Sequence, residues 1–135
     1  MDDGSDTPEQ WLRLRAEVKA SDAVLFVTPE YNRSMPAALK NALDVASRPY
    51  AENSWSGKPG GVISVSPGKT GAFGANHHLR QTAACLNIYM MQQPEAYIGD
   101  IMSSIGADGT FGGGLQNILK KFADAFAEWI GKFNN

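Results

Sequence analysis

The chain has 135 residues and a formal net charge of −2 at pH 7, with 43% hydrophobic and 19% charged residues. This length suits a single domain over residues 1–135, and the composition is that of a globular protein rather than a disordered one. Because Lys and Arg form no basic cluster, the charge pattern excludes bulk attraction to nucleic acid. The longest apolar run, Ala23 to Val27, is far shorter than the ~20 residues that a membrane span needs.

The start of the chain and its single cysteine bear on where the protein works. Residues 1–6 are acidic and polar, without the basic start and apolar run of a secretory signal. Cys85 has no partner for an intramolecular disulfide, which favours a reducing compartment. We therefore expect a cytoplasmic protein without nucleic-acid or membrane partners. Cys85 itself is predicted to be a small core residue on the apolar face of its helix.

Hydrophobic periodicity divides the chain into alternating helices and strands. Amphipathic spacing predicts four helices, and short apolar runs predict three strands, of which the first is a continuous run typical of burial on both faces and the third has the weakest pattern. In chain order these are a helix from Pro8 to Ala20, a strand from Ala23 to Val27, a helix from Pro36 to Ala46, a strand from Gly60 to Val65, a helix from Ala75 to Leu86, a strand from Asn87 to Gln92 and a helix from Leu115 to Ile130. Residues 98–114 are predicted to form a loop. Ser34 is a candidate N-cap of the second helix, and Gly131 is a candidate glycine just past the last.

Strands that alternate with amphipathic helices are typical of an α/β fold. The expected architecture is a doubly wound parallel sheet covered by helices on both faces, in three α/β/α layers. In such folds, ligands bind beyond the carboxyl ends of the strands, in the loops that lead into helices. Two loops qualify, which we call the first loop (residues 28–34) and the second loop (residues 66–74). The sequence predicts that they lie side by side at one edge of the sheet.

The two loops differ in chemistry, and each also has a plain structural interpretation. The first loop, TPEYNRS, offers an aromatic ring, an amide and backbone N–H groups that could line a flat heterocycle. The same residues could equally form an ordinary polar turn with a half-buried tyrosine. The second loop, SPGKTGAFG, has little side-chain bulk, so a ligand could approach its backbone closely. It could also be simply a flexible crossover, and spacing alone leaves both interpretations open.

The first loop and the helix after it, TPEYNRS and then PAALKNALD at residues 36–44, resemble the signature of the NADPH-dependent FMN reductase family of flavodoxin-like proteins. The resemblance extends through residues 57–59, the second loop, residues 78–81 and residues 93–95. It implies an FMN-dependent NAD(P)H oxidoreductase that transfers hydride from NADPH through FMN to a quinone, an azo compound or a metal oxyanion. It also implies a homodimer or higher oligomer, with the helix from Pro36 to Ala46 at the contact.

The resemblance gives eight positions a cofactor-binding role. In the first loop, mainly backbone groups would line the flavin ring; in the second, a serine would contact the flavin and three glycines would keep the loop close to it. These positions are Pro29, Glu30, Tyr31, Asn32, Ser66, Gly68, Gly71 and Gly74. No residue is assigned as catalytic, because the flavin supplies the redox chemistry. His77 and His78 lie about 100° apart around a helix, so no metal site is expected.

Compared with the family pattern, this chain is expected to be an N-terminally truncated flavodoxin-like domain that lacks the first two strands and the first helix. In the family pattern, the FMN phosphate would bind in that segment, at a helix N-terminus. We therefore expect residues 1–135 to bind FMN weakly and the strand from Ala23 to Val27 to form an exposed apolar edge. An alternative function is a non-enzymatic fragment with a structural or partner-binding role. A phospho-receiver domain is disfavoured, because the loop after the first predicted strand begins Thr28-Pro29-Glu30 and supplies no Asp.

Overall fold

A parallel sheet forms the middle layer of the structure, a computed structural model that describes residues 6–133. Strand β1 (Val24–Thr28) pairs in parallel with β2 (Pro59–Val65), from Val24 opposite Gly60 to Thr28 opposite Ser64. On its other side, β2 pairs in parallel with β3 (Tyr89–Met90) and with β4 (Ala96–Ile98). We expect no secretory signal on the basis of residues 1–6, and residues 1–5 of that segment lie outside the described part of the chain.

Helices cover both faces of this sheet. They are α1 (Glu9–Ala20), α2 (Ala37–Ala46), α3 (Phe73–Cys85) and α4 (Gly113–Gly131), with a short 3-10 helix at Ile101–Ser104. The first three helices pack on one face and α4 packs on the other, so the predicted three-layer α/β/α architecture is confirmed. None of the helices within residues 6–133 is long and apolar enough to cross a membrane.

Two hydrophobic cores lie on opposite faces of the sheet. Val62 packs with Phe26 and Leu79 in the core beneath α1, α2 and α3. Its neighbour Ile63 packs with Phe122 in the core beneath α4. Because successive side chains of a strand point to opposite faces, β2 supplies both cores. Full burial of such side chains contributes about 1.5–3 kcal/mol each, so the central strand anchors both layers.

Strand β1 lies at the edge of the sheet and is covered on one face only. Phe26 and Thr28 are buried on the face of the first three helices. Leu25 and Val27 point to the opposite face and are 46% and 64% exposed, because α4 packs over β2 and β4 instead. Within residues 6–133 the expected exposed apolar edge is therefore confirmed, and the prediction that this strand is buried on both faces is wrong, because its second face has no helix over it.

The third predicted strand, Asn87 to Gln92, is wrong in its extent. Pairing is limited to Tyr89–Met90 and then resumes at Ala96–Ile98, in a stretch not predicted to be a strand. The ladder is interrupted around Pro94, which has no N–H group to donate. This polar, proline-containing interruption breaks the apolar run, so the hydrophobic pattern did not reveal the second half.

The helix ends also differ from the predicted ones. Helix α2 begins after Pro36 and has no side-chain cap, so the prediction that Ser34 caps it is wrong. Helix α3 begins at Phe73, earlier than predicted, and Gly131 belongs to α4 instead of following it. The predicted loop at residues 98–114 contains the short 3-10 helix and an isolated bridge between Ile105 and Phe111.

Cys85 is exposed, so its prediction as a core residue is wrong. The buried face of α3 contains Ala75, Asn76, Leu79 and Ala83. From Asn76 onward these positions recur every three or four residues, and Cys85 falls outside that stripe. A polar residue, Asn76, takes a core position instead.

Candidate functional site

The pairing of β1 with β2 brings the two candidate loops together. Thr28 ends β1 opposite Ser64, one residue before the end of β2. Both loops therefore leave the same edge of the sheet, as predicted. Pro29 follows β1 directly, is exposed, and its carbonyl accepts a hydrogen bond from the Thr28 hydroxyl at 2.8 Å.

The first loop folds as a tight hairpin turn. Tyr31 and Ser34 exchange both of their backbone hydrogen bonds, at 2.9 and 3.0 Å. Asn32 and Arg33 at the corner have φ angles of 51° and 65°, as a turn with a left-handed backbone requires. This conformation costs a non-glycine residue about 1–2 kcal/mol, and asparagine tolerates it best. The ring of Tyr31 is 61% exposed, rather than half-buried as in an ordinary polar turn.

The carboxylate of Glu30 joins the first loop to the start of α3. Its Oε2 accepts a hydrogen bond from the N–H of Ala75 at 3.0 Å, and its Oε1 accepts one from Arg33 at 2.7 Å. The Glu30 side chain is only 9% exposed, whereas that of Arg33 is 79% exposed. Burial acts to raise the pKa of Glu30, but the hydrogen bonds from Arg33, Ala75 and Gly74 and the Arg33 charge outweigh it and lower the pKa. We call this contact the Glu30 clasp.

The predicted flavin role of Glu30 through backbone groups stays a prediction, and the clasp gives its side chain a separate, structural role. Sequence reasoning missed this role because Ala75 contributes only its backbone N–H, and any residue type carries one. Arg33 lay inside the signature but was assigned no function. The spacing of an acidic residue and an arginine three positions apart was the one available signal.

Three glycines of the second loop have different surroundings. A Cβ on Gly74 would lie 2.7 Å from the carbonyl oxygen of Arg33, so this glycine lets the two loops touch. A Cβ on Gly71, whose φ is 59°, would lie 2.5 Å from the carbonyl carbon of Tyr97 on β4. At Gly68, a Cβ would meet no atom within 4 Å. Of the three, Gly68 is the position where a ligand has room to approach the backbone.

Ser66 closes the second loop on itself. Its hydroxyl donates to the carbonyl of Gly68 at 2.9 Å and accepts from the N–H of Ala72 at 3.2 Å. A hydrogen bond from the N–H of Asp100 to the same Gly68 carbonyl, at 3.2 Å, ties the loop to the segment after β4. Hydrogen bonds thus tie the second loop to itself and to the segment after β4. The role of Ser66 as a flavin contact stays a prediction.

Unpaired backbone donors are present in both loops. The N–H groups of Asn32 and Lys69 make no hydrogen bond within residues 6–133, and both residues are exposed. Such donors suit the polar edge of a flat heterocycle, and the exposed Tyr31 ring suits its apolar face. This donor set fits the ring of FMN.

The two adjacent histidines face different partners. His78 Nδ1 lies 2.9 Å from the Ser34 hydroxyl, and His77 Nε2 lies 2.9 Å from the Tyr97 hydroxyl. Tyr97 donates its single proton to Glu95 at 2.7 Å, so its oxygen accepts a hydrogen bond from His77. Burial and the hydrogen bond to Glu95 raise the pKa of Tyr97 to about 12. These contacts tie α3 to both the first loop and β4.

Comparison with known proteins identifies relatives over most of the chain. Residues 1–102 match the NADPH-dependent FMN reductase family. A quinone reductase from Pseudomonas putida is 54% identical over 123 residues, which cover 91% of this chain and 66% of that protein. A 2-hydroxy-1,4-benzoquinone reductase from Burkholderia sp. is 45% identical over 127 residues, which cover 93% of this chain and 69% of that protein. The chain thus spans about two thirds of the length of these relatives.

Solved structures share the fold. FerB, a flavoenzyme NAD(P)H:(acceptor) oxidoreductase from Paracoccus denitrificans, superposes with a TM-score of 0.88 at 46% identity, over 95% of this chain and 71% of that one. An oxidoreductase from Corynebacterium diphtheriae has a TM-score of 0.72 at 13% identity, over 94% of this chain and 65% of that one, and shares the fold alone. The likeness to FerB confirms the flavodoxin-like fold class.

The Glu30 clasp predicts a pH-dependent stability. The folded pKa of Glu30 lies below its ordinary value of 4.5, so its charge stabilises the fold above that pH, and this contribution is lost as the pH falls through the folded pKa. We expect Glu30→Gln to lower the free energy of unfolding by about 1–2 kcal/mol at neutral pH. The difference from the wild type should shrink toward zero in acid, measured by urea denaturation across pH.

Glu17→Gln is the matched control for the clasp. Glu17 pairs with Arg13 at 3.1 Å on α1, and its side chain is 64% exposed. Exposed ion pairs contribute about 0–1 kcal/mol, so this variant should stay close to the wild type. An equal loss of stability in both variants would show that Glu30 makes no more than an ordinary surface ion pair.

The different surroundings of the glycines predict different tolerance of a methyl group. Gly71→Ala forces a side chain into a left-handed residue and against the backbone of Tyr97, and should cost about 2 kcal/mol or more. Gly68→Ala meets open space, so its stability should stay within about 1 kcal/mol of the wild type. Thermal unfolding of the two variants measures both effects. A stability loss as large for Gly68→Ala as for Gly71→Ala would contradict the open position assigned to Gly68.

Proposed function

The chain belongs to the NADPH-dependent FMN reductase family, and from that premise we propose that it forms the flavin-ring site of an FMN-dependent NAD(P)H oxidoreductase. FMN, when bound, would supply the redox chemistry, by taking up hydride from NADPH and passing electrons to an acceptor. The observation that carries the proposal is the meeting of the two loops beyond β1 and β2, with an exposed tyrosine ring and unpaired backbone donors. A ring site of this kind needs no acid, base or nucleophile from the protein.

The residues of the chain would bind and orient the ring. Tyr31 would pack against its face, and the N–H groups of Asn32 and Lys69 would donate to its polar edge. Gly68 would leave room for the ring near the second loop, since no atom lies within 4 Å of a Cβ built there. The Glu30 clasp would hold the two loops at a fixed separation, so that binding of the ring costs little conformational entropy.

A quinone is the electron acceptor that we propose for the protein. The Pseudomonas and Burkholderia relatives are named for the reduction of quinones. Azo compounds and metal oxyanions, which the resemblance also implied, have no such support from these two. We also propose a cytoplasmic location, because the single cysteine, Cys85, favours a reducing compartment.

A second candidate is a structural or partner-binding role without flavin, which one observation favours. Leu25 and Val27 leave an apolar strip on β1 uncovered, although apolar strips of a sheet are normally packed. This role requires no binding of FMN at the two loops. Flavin binding therefore separates the two candidates.

Tyr31→Ala tests the site assignment. Loss of the ring should weaken FMN binding roughly 2- to 12-fold, which corresponds to the ~0.5–1.5 kcal/mol of an aromatic contact. Because Tyr31 is 61% exposed, the flavin-free protein should lose no more than about 1 kcal/mol of stability. Quenching of FMN fluorescence measures the first effect, and thermal melts without flavin measure the second.

Phe111→Ala is the matched control, because Phe111 is an aromatic loop residue of similar exposure, 46%, outside both loops. It should leave FMN affinity unchanged. If Tyr31→Ala lowers the stability of the flavin-free protein and leaves FMN affinity at the wild-type value, then Tyr31 is a packing residue and the assignment is wrong.

We also propose that the protein forms a homodimer through α2 and the neighbouring loops. A groove lined by Lys40 and Asp44 of α2, by Cys85 of α3 and by Tyr50 runs between these elements. Tyr50 is 87% exposed, which is unusual for so large an aromatic side chain. A second copy packed there would cover it.

Sedimentation at micromolar concentration should therefore show at least a dimer, and Tyr50→Asp should shift it toward the monomer. Met102→Asp, at a side chain that is 73% exposed outside this groove, is the control and should not shift it. A clean monomer for the wild type would overturn the proposal. A dimer unaffected by Tyr50→Asp would show that the contact between the two copies lies outside the groove.

A further inference from the structure

A row of hydrogen-bonded polar side chains lies beneath the second loop, and we call it the polar relay. Arg80 donates from Nε to the Oδ1 atom of Asn76 at 3.0 Å, and Asn76 donates from Nδ2 to the hydroxyl of Ser64 at 3.1 Å. Ser64 in turn donates to the carbonyl of Gly71 at 2.7 Å. At the other end, Arg80 Nη1 donates to the carbonyl of Met91 at 3.0 Å. The relay therefore connects the interruption between β3 and β4 with the second loop.

The direction of each hydrogen bond in the relay is fixed by its neighbours. Arg80 can only donate, so the Asn76 atom that faces it must be the amide oxygen. The amide nitrogen then faces Ser64, whose oxygen accepts and whose proton is left for Gly71. Reversal of the Asn76 amide would place two donors against each other at Arg80. The relay thus has one arrangement in which its bonds are all made.

Because the relay is buried, the loss of any of its hydrogen bonds is costly. Ser64 and Asn76 are both fully buried, at 0% exposure, among the apolar residues beneath α3. Their polar groups cannot turn to water, so each lost bond leaves a buried group unsatisfied. One nitrogen of Arg80, Nη2, is buried without a hydrogen-bond partner in the described part of the chain. If Ser64 and Asn76 served only to fill the core, apolar side chains of similar size would stabilise the fold as well.

What the relay holds is a left-handed, closely packed part of the second loop. The carbonyl that Ser64 binds belongs to Gly71, whose φ is 59° and at which a Cβ would lie 2.5 Å from the carbonyl carbon of Tyr97. A weaker contact of Ser64 with the carbonyl of Ala96, at 3.4 Å, reaches β4 as well. From Gly71 the loop runs back to Gly68 and Ser66.

We infer that Ser64, Asn76 and Arg80 are positioning residues that hold the second loop, through the Gly71 carbonyl, in the conformation that receives the flavin ring. The part of this inference that concerns the flavin rests on the proposed function. The part that concerns the loop does not, because the hydrogen bonds from Arg80 through Asn76 and Ser64 to Gly71 form without a ligand. None of the three touches the ring; they act through Gly71.

Amide hydrogen exchange on the flavin-free protein tests the relay, with Ser64→Ala compared with Val62→Ala. Val62 is its control, because it lies on the same strand and the same face and is equally buried, at 0% exposure. Ser64→Ala should speed exchange in residues 66–74 by about tenfold or more beyond the change in α1 and β1. Val62→Ala should change protection in the loop no more than elsewhere.

Asn76→Asp tests the connection, since Ser64 remains intact in this variant. The substitution replaces the donor that faces Ser64 with an acceptor, so the Ser64 proton should turn from Gly71 to the new carboxylate. Exchange in the second loop should then rise as it does for Ser64→Ala. Ser64→Cys, which keeps a weak donor on a slightly larger side chain, should have a smaller effect and serves if Ser64→Ala does not fold.

Two outcomes would overturn the inference: loop exchange in Ser64→Ala or Ser64→Cys no faster than in Val62→Ala, or an unchanged loop in Asn76→Asp. Titration with FMN adds a separate reading, in which Ser64→Ala should weaken binding more than Val62→Ala does. If the wild type binds no FMN at all, the proposed function fails, and hydrogen exchange alone then decides whether the relay positions the loop.

Discussion

The parallel pairing of β1 with β2 sets the level at which both candidate loops leave the sheet. Thr28 lies opposite Ser64, so the first loop starts beside the second one. A slip of the pairing by one residue would move one loop by about 3.3 Å along the other and exchange the two faces of the strand. The Glu30 clasp, at 3.0 Å, could not survive that shift. The register is itself fixed by the core beneath α1, α2 and α3, because Phe26 of β1 must point into the same layer as Val62 of β2.

Both loops are held mainly by hydrogen bonds between side chains and backbone groups. The first loop has a left-handed corner at Asn32 and Arg33, and the clasp offsets part of its strain through the bond from Arg33. The second loop is held by the Ser66 hydroxyl from within and by the polar relay from below. A flat ligand that binds two such loops loses little affinity to their ordering. This preorganisation is the physical basis of the proposed ring site.

Sequence patterns were sufficient for features that depend on apolar runs and on strand ends. The two loops and the layers follow from periodicity and topology, whereas the exposed edge at Leu25 and Val27 was expected only from the family resemblance. Features that depend on one buried polar partner were not predictable: Asn76 is hidden in a helix whose stripe was read as apolar. The pairing of Ala96–Ile98 is not evident because Pro94 interrupts the strand, and the exposure of Cys85 is not evident because it lies only two residues after the buried Ala83, off the buried stripe of α3.

We propose that the two loops form one surface for the flavin ring. Backbone chemical shifts of the isotopically labelled protein, followed during addition of FMN, test this directly, since they also detect weak binding. We expect saturable shifts concentrated in residues 28–34 and 66–74, with little change in α1 and α4. Saturable shifts elsewhere, with both loops unmoved, would contradict it, and so would an absence of any shift at millimolar FMN.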